Sequence, residues 1–366
     1  MHLTLFFTYK TSLERWDSVG MLDREIALYR NYLRKGIAVS FVTYGKNDHS
    51  LFRDRLAGIE ILCNERKLPT RLYATLIPLL HAHTLRKTDI VKTNQTPGGL
   101  LALSAAKLFG KPLLARCGYM HSEFIANRHG EGSREALRAL GEENRLFRSA
   151  SHIEVTTPAM KESILSRMPG TGDRISVIPN YVDTGAFKPL ALPKEIDLLF
   201  IGRLVAQKNL FALLEALQGL DIRTTVIGSG SQEKKLKAKA RARGMRVEWI
   251  DNVPNNELPC YLDRSKIFIL PSLYEGHPKT LIEAMACGVA VIGADSPGIR
   301  EILRDGETGL LCSTKPEGIR NAVEKLMRSA NLRERLGENA REFALKHYSL
   351  EHIAETELAL LGKLRQ

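Results

Sequence analysis

The 366 residues include five cysteines, Cys63, Cys117, Cys260, Cys287 and Cys312, an odd number set far apart and without a Cys-x-x-Cys pair. That pattern argues against a disulfide framework and a cysteine metal site, and it predicts buried thiols in a reducing compartment. His81 and His83 lie two apart, a separation that does not align them on one helix face, so no metal site is read from them. No Asp-x-Asp triplet occurs in the chain, which removes the usual carboxylate pair for a Mg²⁺- or Mn²⁺-bound diphosphate. No apolar run has the length needed to span a bilayer, and the start, Met1 to Phe7, is too short and lacks the basic residues of a signal peptide. These absences predict a cytoplasmic protein, at most peripheral to the inner face of a membrane.

What the chain has is length and positive charge. Its size suits two domains rather than one core. The 53 lysines and arginines against 41 acidic residues give a net charge of +12. That balance fits an anionic partner such as a nucleotide or a phospholipid, although dispersed charge also serves solubility. The basic segment Glu233 to Arg243 reads as a solvated helix face and not as a nucleic-acid reader.

Apolar strand-like runs alternate with helical ones along the whole length. Leu3 to Phe7, Ile37 to Tyr44, Ile90 to Thr93, Pro112 to Arg116, Ile153 to Thr156 and Ile175 to Ile178 read as strands. Leu22 to Leu33 and Leu100 to Phe109 read as helices between them, the order expected of a parallel sheet. The punctuated segment Pro179 to Pro189 is the predicted hinge, and a second series begins at Ile196 to Ile201. Arg66 to Lys87 combines a helical run with basic flanks; core packing is favoured over contact with an anionic membrane, and Pro78 is expected to kink it. Asn127 to Ser149 reads as a mobile loop leading to a helix, and Gly298 to Ile302 as the start of a short helix.

The stretch Pro271 to Gly288 carries the chemistry. Lys266 to Leu270 is a strand, Leu281 to Ala286 a helix, and Pro278 suits the first helical turn, so the loop receives the helix's unpaired amides. Such a terminus attracts anions. Glu275 in the loop and Glu283 inside the helix would repel phosphates, so any ligand they bind there should offer them hydroxyls. A nucleotide sugar, with phosphates in the middle and polyols at both ends, meets those demands. A surface acid at Glu275 and a dipole-complementing Glu283 remain the alternative. At the next strand end, Gly202 lets the backbone come close while Arg203 and Lys208 are natural diphosphate partners. Gly228 marks a second strand-to-glycine turn.

Pro271-Ser272, Glu275-Gly276, Pro278 and Glu283 to Gly288 resemble the Glu-x7-Glu signature of the large retaining family of GT-B glycosyltransferases, the group 1 or family 4 type. Pro179-Asn180-Tyr181-Val182-Asp183 is similar to that family's interdomain segment. The resemblance implies two Rossmann-like doubly wound α/β domains facing across a cleft, residues 1–180 on the acceptor side and 181–345 on the donor side, with residues 346–366 crossing back as a helix. It implies that Glu275 faces the donor sugar and Glu283 holds the ribose, and that Arg203 and Lys208 steady the leaving diphosphate. His121 would contact the sugar near the reacting carbon, Gly20 would approach the phosphates, and the loop at Asn252 would carry the base. Gly202, Gly228, Gly276, His277, Lys279, Thr280 and Leu281 complete the expected binding set. His277 and Lys279 stand where the family more often has apolar residues. The expected activity is retaining, metal-independent sugar transfer from a UDP- or GDP-sugar, without a cofactor, to a glycan or lipid-linked sugar. Cell-surface polysaccharide, lipopolysaccharide or glycolipid synthesis is the expected setting, with no nucleic acid involved. A nucleotide-sugar epimerase or phosphorylase, and a basic surface-binding protein without catalysis, are the competing readings.

Overall fold

A computed structural model describes residues 1–365 and contains two wholly parallel sheets. The first is built from β1 (His2–Phe6), β2 (Ala38–Val42), β3 (Ile59–Leu62), β4 (Ile90–Thr93), β5 (Leu113–Cys117), β6 (His152–Val155) and β7 (Ile175–Val177). Their spatial order is β3-β2-β1-β4-β5-β6-β7. The second is built from β8 (Ile196–Ile201), β9 (Thr224–Ile227), β10 (Val247–Ile250), β11 (Ser265–Leu270), β12 (Ala290–Ala294) and β13 (Leu310–Cys312), in the order β10-β9-β8-β11-β12-β13. Helical connections carry the chain between most of the parallel neighbours, and turns do so from β12 to β13. Because helices cover both faces of such sheets, the strands are nearly continuous apolar runs; all six residues of β8 are buried. The one acid in that strand, Asp197, is compensated by Lys266 Nζ at 2.7 Å and by the Arg223 amide at 2.8 Å.

The chain divides into two compact units. The first comprises Met1–Pro179 and the segment from Ala354 onward, and the second comprises Asn180–Ile353. The boundary falls inside the segment read as the hinge. The helix Ala330–Tyr348 belongs to the second unit, and the return to the first occurs within the final helix, Leu350–Arg365, later than position 346.

Several local expectations change. Residues 298–302 form turns instead of a helix, because Gly298 has φ +81° and the hydrogen bonds that follow are short-range, Ile302 N to Ile299 O among them. The segment around Asn127 is helical from His121 to His129, and only a short break around Gly130 (φ +93°) separates it from the helix Arg134–Ser149, which Ser133 caps. The strand β3 went unread because its four residues alternate at the sheet edge. The helix Thr70–Leu80 contains Pro78 without ending there; Tyr73, Ala74 and Ile77 join the core while Leu72 and Leu79 remain exposed. Four cysteines are buried, but Cys260 is exposed on the short helix Leu258–Asp263. Trp249 is half-buried and packs against the second unit's core. Among the described residues no helix is long and apolar enough to cross a membrane.

Candidate functional site

In the second sheet the chain moves outward from β8 to β9 on one side and has β11 on the other, so the order reverses between β8 and β11. In open α/β sheets ligands bind outside the carboxyl ends of strands at such a reversal. The candidate residues of this unit lie in the loops that leave β8, β9, β10 and β11 and in the helix Lys279–Ala286 that follows the last of them.

The β8 and β9 loops press together. Gly228 has φ +132°, and a Cβ there would lie 2.1 Å from the Gly202 carbonyl oxygen. Leu204 N donates to Ser229 O and Gln232 N donates to Leu204 O, both at 2.9 Å. Gly228 is therefore required for packing one loop on the other. Arg203 is exposed on the β8 loop, while Lys208, at the end of the short turn Ala206–Lys208, is only 9% exposed. Asn209 closes that turn in the left-handed region at φ +56°, its amide donating to Pro271 O at 3.2 Å and Thr314 O at 2.8 Å.

The β8 loop is also joined to the β11 loop. Leu273 N donates to Gln207 O at 2.9 Å, and Gln207 Nε2 donates to Tyr274 O at 2.7 Å. Lys208 forms an ion pair with Glu275, whose second oxygen accepts from Gln207 Nε2 at 3.4 Å. The backbone at Glu275 is set from behind by the turn at Gly298. There Glu275 N donates to Pro297 O at 2.9 Å, and a Cβ on Gly298 would sit 2.4 Å from both the Glu275 and the Gly276 carbonyl oxygens.

Pro278 is the N-cap of the helix Lys279–Ala286, and the first i to i−4 bond runs from Ile282 N to Pro278 O. The amides of Lys279 and Thr280 thus belong to the helix terminus that suits an anion. Leu281 is fully buried, so its side chain serves the core. Glu283 is 1% exposed, and its Oε1 accepts from Asn255 Nδ2 at 3.1 Å. A buried carboxylate needs such donors. The β10 loop therefore approaches Glu283 through the buried Asn255, while Asn252 is exposed.

His277 and Lys279 meet the two segments at which the chain passes between units. Asn180 Nδ2 donates to His277 O at 2.6 Å, the Lys279 ammonium lies 5.4 Å from the centre of the Tyr181 ring, and the His277 ring stands edge-on to Tyr348 at 5.1 Å. Val182 N in turn donates to Tyr348 O at 2.8 Å. Both side chains thus rest against aromatic rings, Lys279 on Tyr181 and His277 on Tyr348.

Gly20 and His121 belong to the first unit. Gly20, at φ +69°, joins the helices Leu13–Ser18 and Leu22–Arg34, its amide donating to Asp17 O at 2.8 Å. His121 opens the helix His121–His129 beyond β5. The buried Glu143 fixes that helix end by accepting from Ser122 N at 3.1 Å and Ser122 Oγ at 2.5 Å. Gln207, Asn255 and Glu143 are not singled out in the sequence, and Asn180 is read there only as part of the hinge. Amides and a lone helical acid carry no spacing signal, and only their partners identify them. Among the described residues no group of three or more His, Cys, Asp or Glu side chains could hold a metal ion.

Comparison with known proteins matches residues 183–343 to the family described as glycosyl transferases group 1, and residues 26–186 to glycosyltransferase family 4. The two matches meet at the hinge and leave only the ends of the chain uncovered. The chain belongs to the group 1 glycosyltransferases. Among group 1 relatives, an uncharacterized glycosyltransferase of Methanocaldococcus jannaschii is 30% identical over 40% of this chain and 43% of its own length. A lipopolysaccharide core biosynthesis glycosyltransferase of Rhizobium meliloti is 27% identical over 59% of this chain and 65% of its own length. These matches span between about two fifths and two thirds of those relatives. In architecture, the Anabaena protein HepE in complex with UDP-glucose is similar with a TM-score of 0.77, 18% identity and 99% coverage of each chain. The fold is GT-B, with two parallel-sheet α/β units of seven and six strands.

Proposed function

We propose that this group 1 protein transfers a sugar from a nucleotide diphosphate sugar to a hydroxyl, with retention at the anomeric carbon and without a metal ion. The observation that carries the proposal is the convergence of Lys208, Glu275, Glu283 and the Lys279–Thr280 helix terminus on the reversal point of the second sheet. Arg203, Lys208 and the helix amides supply fixed positive charge where negative charge builds on the departing diphosphate. Glu275 and Glu283 accept hydrogen bonds from the sugar and ribose hydroxyls. The acceptor oxygen bonds to the anomeric carbon on the face that the diphosphate leaves, and the acceptor proton passes to the departing phosphate oxygen. No side chain is assigned as a nucleophile. The lack of an Asp-x-Asp triplet supports the metal-free part of this reading. For His121, Gly20 and Asn252 the assignment rests on the family resemblance.

The donor is taken to be a UDP- or GDP-sugar, for which the likeness to HepE is the support, and the acceptor a glycan or lipid-linked sugar, for which the lipopolysaccharide relative is the support. Peripheral contact with an anionic membrane on the cytoplasmic side fits the exposed Leu72 and Leu79 on a helix that also carries the exposed Arg71.

Thermal-shift measurements against UDP-, GDP- and ADP-sugars should show one base class raising the melting temperature, since a ligand of the native state stabilises it. Transfer by Lys208→Ala and by Glu275→Ala should fall by roughly two orders of magnitude or more, as expected for loss of charge stabilisation in the transition state. Near-normal transfer by both variants would remove the assignment.

A further inference from the structure

The ammonium that this reading gives to the diphosphate is held by a carboxylate of the same site. The Lys208 and Glu275 side chains are 11% and 8% exposed, so their ion pair is shielded from water and worth more than one on the surface. The backbone on either side of the pair is anchored, so the two side chains meet again whenever nothing comes between them. Asn209 fixes the end of the Lys208 turn to Pro271 O and Thr314 O, and the Gly298 turn backs Glu275. Gln207 adds a neutral donor to the second Glu275 oxygen, which keeps the carboxylate aimed at the β8 loop.

We infer that Glu275 competes with the nucleotide for Lys208 and thereby distinguishes the donor from the product. The inference rests on the proposed assignment of Lys208 to the diphosphate. A diphosphate that takes Lys208 must displace the carboxylate, which then lies in a poorly hydrated place and needs new donors. The hydroxyls of the transferred sugar provide them. A nucleotide diphosphate that has lost its sugar does not, so Glu275 returns to Lys208 and loosens the product. The same acid that recognises the donor sugar thus promotes release of what remains after transfer.

Isothermal titration with UDP and with GDP, each without sugar, tests this on the unmodified protein, Glu275→Gln, Lys208→Met and the double variant. Whichever nucleotide the unmodified protein binds should bind Glu275→Gln about ten-fold tighter, the scale of a hydrogen bond to a charged group. In the Lys208→Met background the gain from Glu275→Gln should shrink by about half or more, because no pair is left to break. Through-space repulsion alone would leave that gain as large or larger, and such a result overturns the inference. Unchanged or weaker binding by Glu275→Gln, with Lys208→Met still weaker than the unmodified protein, overturns the competition and leaves the diphosphate assignment standing. If neither nucleotide binds, or if Lys208→Met binds as well as the unmodified protein, the diphosphate assignment fails and the competition with it.

Discussion

Gly298 shows how one residue outside the signature governs it. Its backbone is left-handed, and the space a Cβ would need is taken by the two carbonyls that precede His277. Gly298→Ala should cost about 1–2 kcal/mol from the backbone alone, and relief of the contact should push Glu275 away from Lys208. The expected result is a lower melting temperature together with tighter binding of the sugar-free nucleotide, because Lys208 is freed; a drop in stability with unchanged binding would separate the turn from the site. From the sequence, Gly298 reads as the opening of a short helix, and the turn it makes behind Glu275 is not visible. Lys208 and Glu275 were legible because their types and positions at strand ends already suggest anion and hydroxyl recognition. Their pairing with each other was not, since nothing along the chain tells how two loops sixty-odd residues apart come together. Asn255 was missed for the same reason, five positions beyond the end of β10 and with no distinguishing neighbour.

At the scale of elements, parallel strands with long apolar runs were readable almost to the residue, whereas short edge pieces such as β3 and the turn after Ser296 were not. Burial on both faces leaves a strong composition signal, and a four-residue edge strand leaves little. An arrangement with no sequence signature anchors the last helix to the first sheet. Lys92 on β4 pairs with Glu357 on that helix and, at 3.3 Å, with Glu154 on β6, which also accepts from Arg116 Nε on β5 at 2.9 Å. The Lys92, Glu154 and Glu357 side chains are no more than 1% exposed. Lys92→Met should therefore destabilise the protein by about 3–5 kcal/mol, because it leaves the buried Glu357 without its cation and Glu154 with Arg116 alone. Denaturant unfolding checks this, and a loss below about 1 kcal/mol would show that the cluster is hydrated or rearranges readily.

At the scale of the molecule, acidity should act chiefly on the first unit. Burial lowers the pKa values of His2, His81 and His152 below the ordinary 6.5, against nearby acids at His2 and His81 and with the help of Arg174, Lys161 and Lys363 at His152, and each ring is hydrogen-bonded, to Ser40, Tyr73 and Ser176 respectively. The folded chain holds these rings neutral while the unfolded chain takes up protons first. Their contribution to stability is complete above pH 6.5 and declines as the pH falls below it, until the lower folded values are passed. Glu154 works in the opposite direction, since burial and Glu357 raise its pKa against the pull of Lys92 and Arg116. The melting temperature should therefore decrease between about pH 7 and pH 5, and His152→Gln should flatten that decrease by up to one proton's worth of slope. An unaltered profile in the variant would exclude His152 as a contributor.

The second unit is one continuous stretch of sequence, whereas the first is assembled from two pieces separated by all of Asn180–Ile353. On a ribosome, residues 1–179 emerge first and meet Glu357 only after all of Asn180–Ile353 has been made, so until then Lys92 lacks one of its two acidic partners. The later-made unit can complete its fold first, and the earlier-made one must wait for the segment from Ala354 onward to close it.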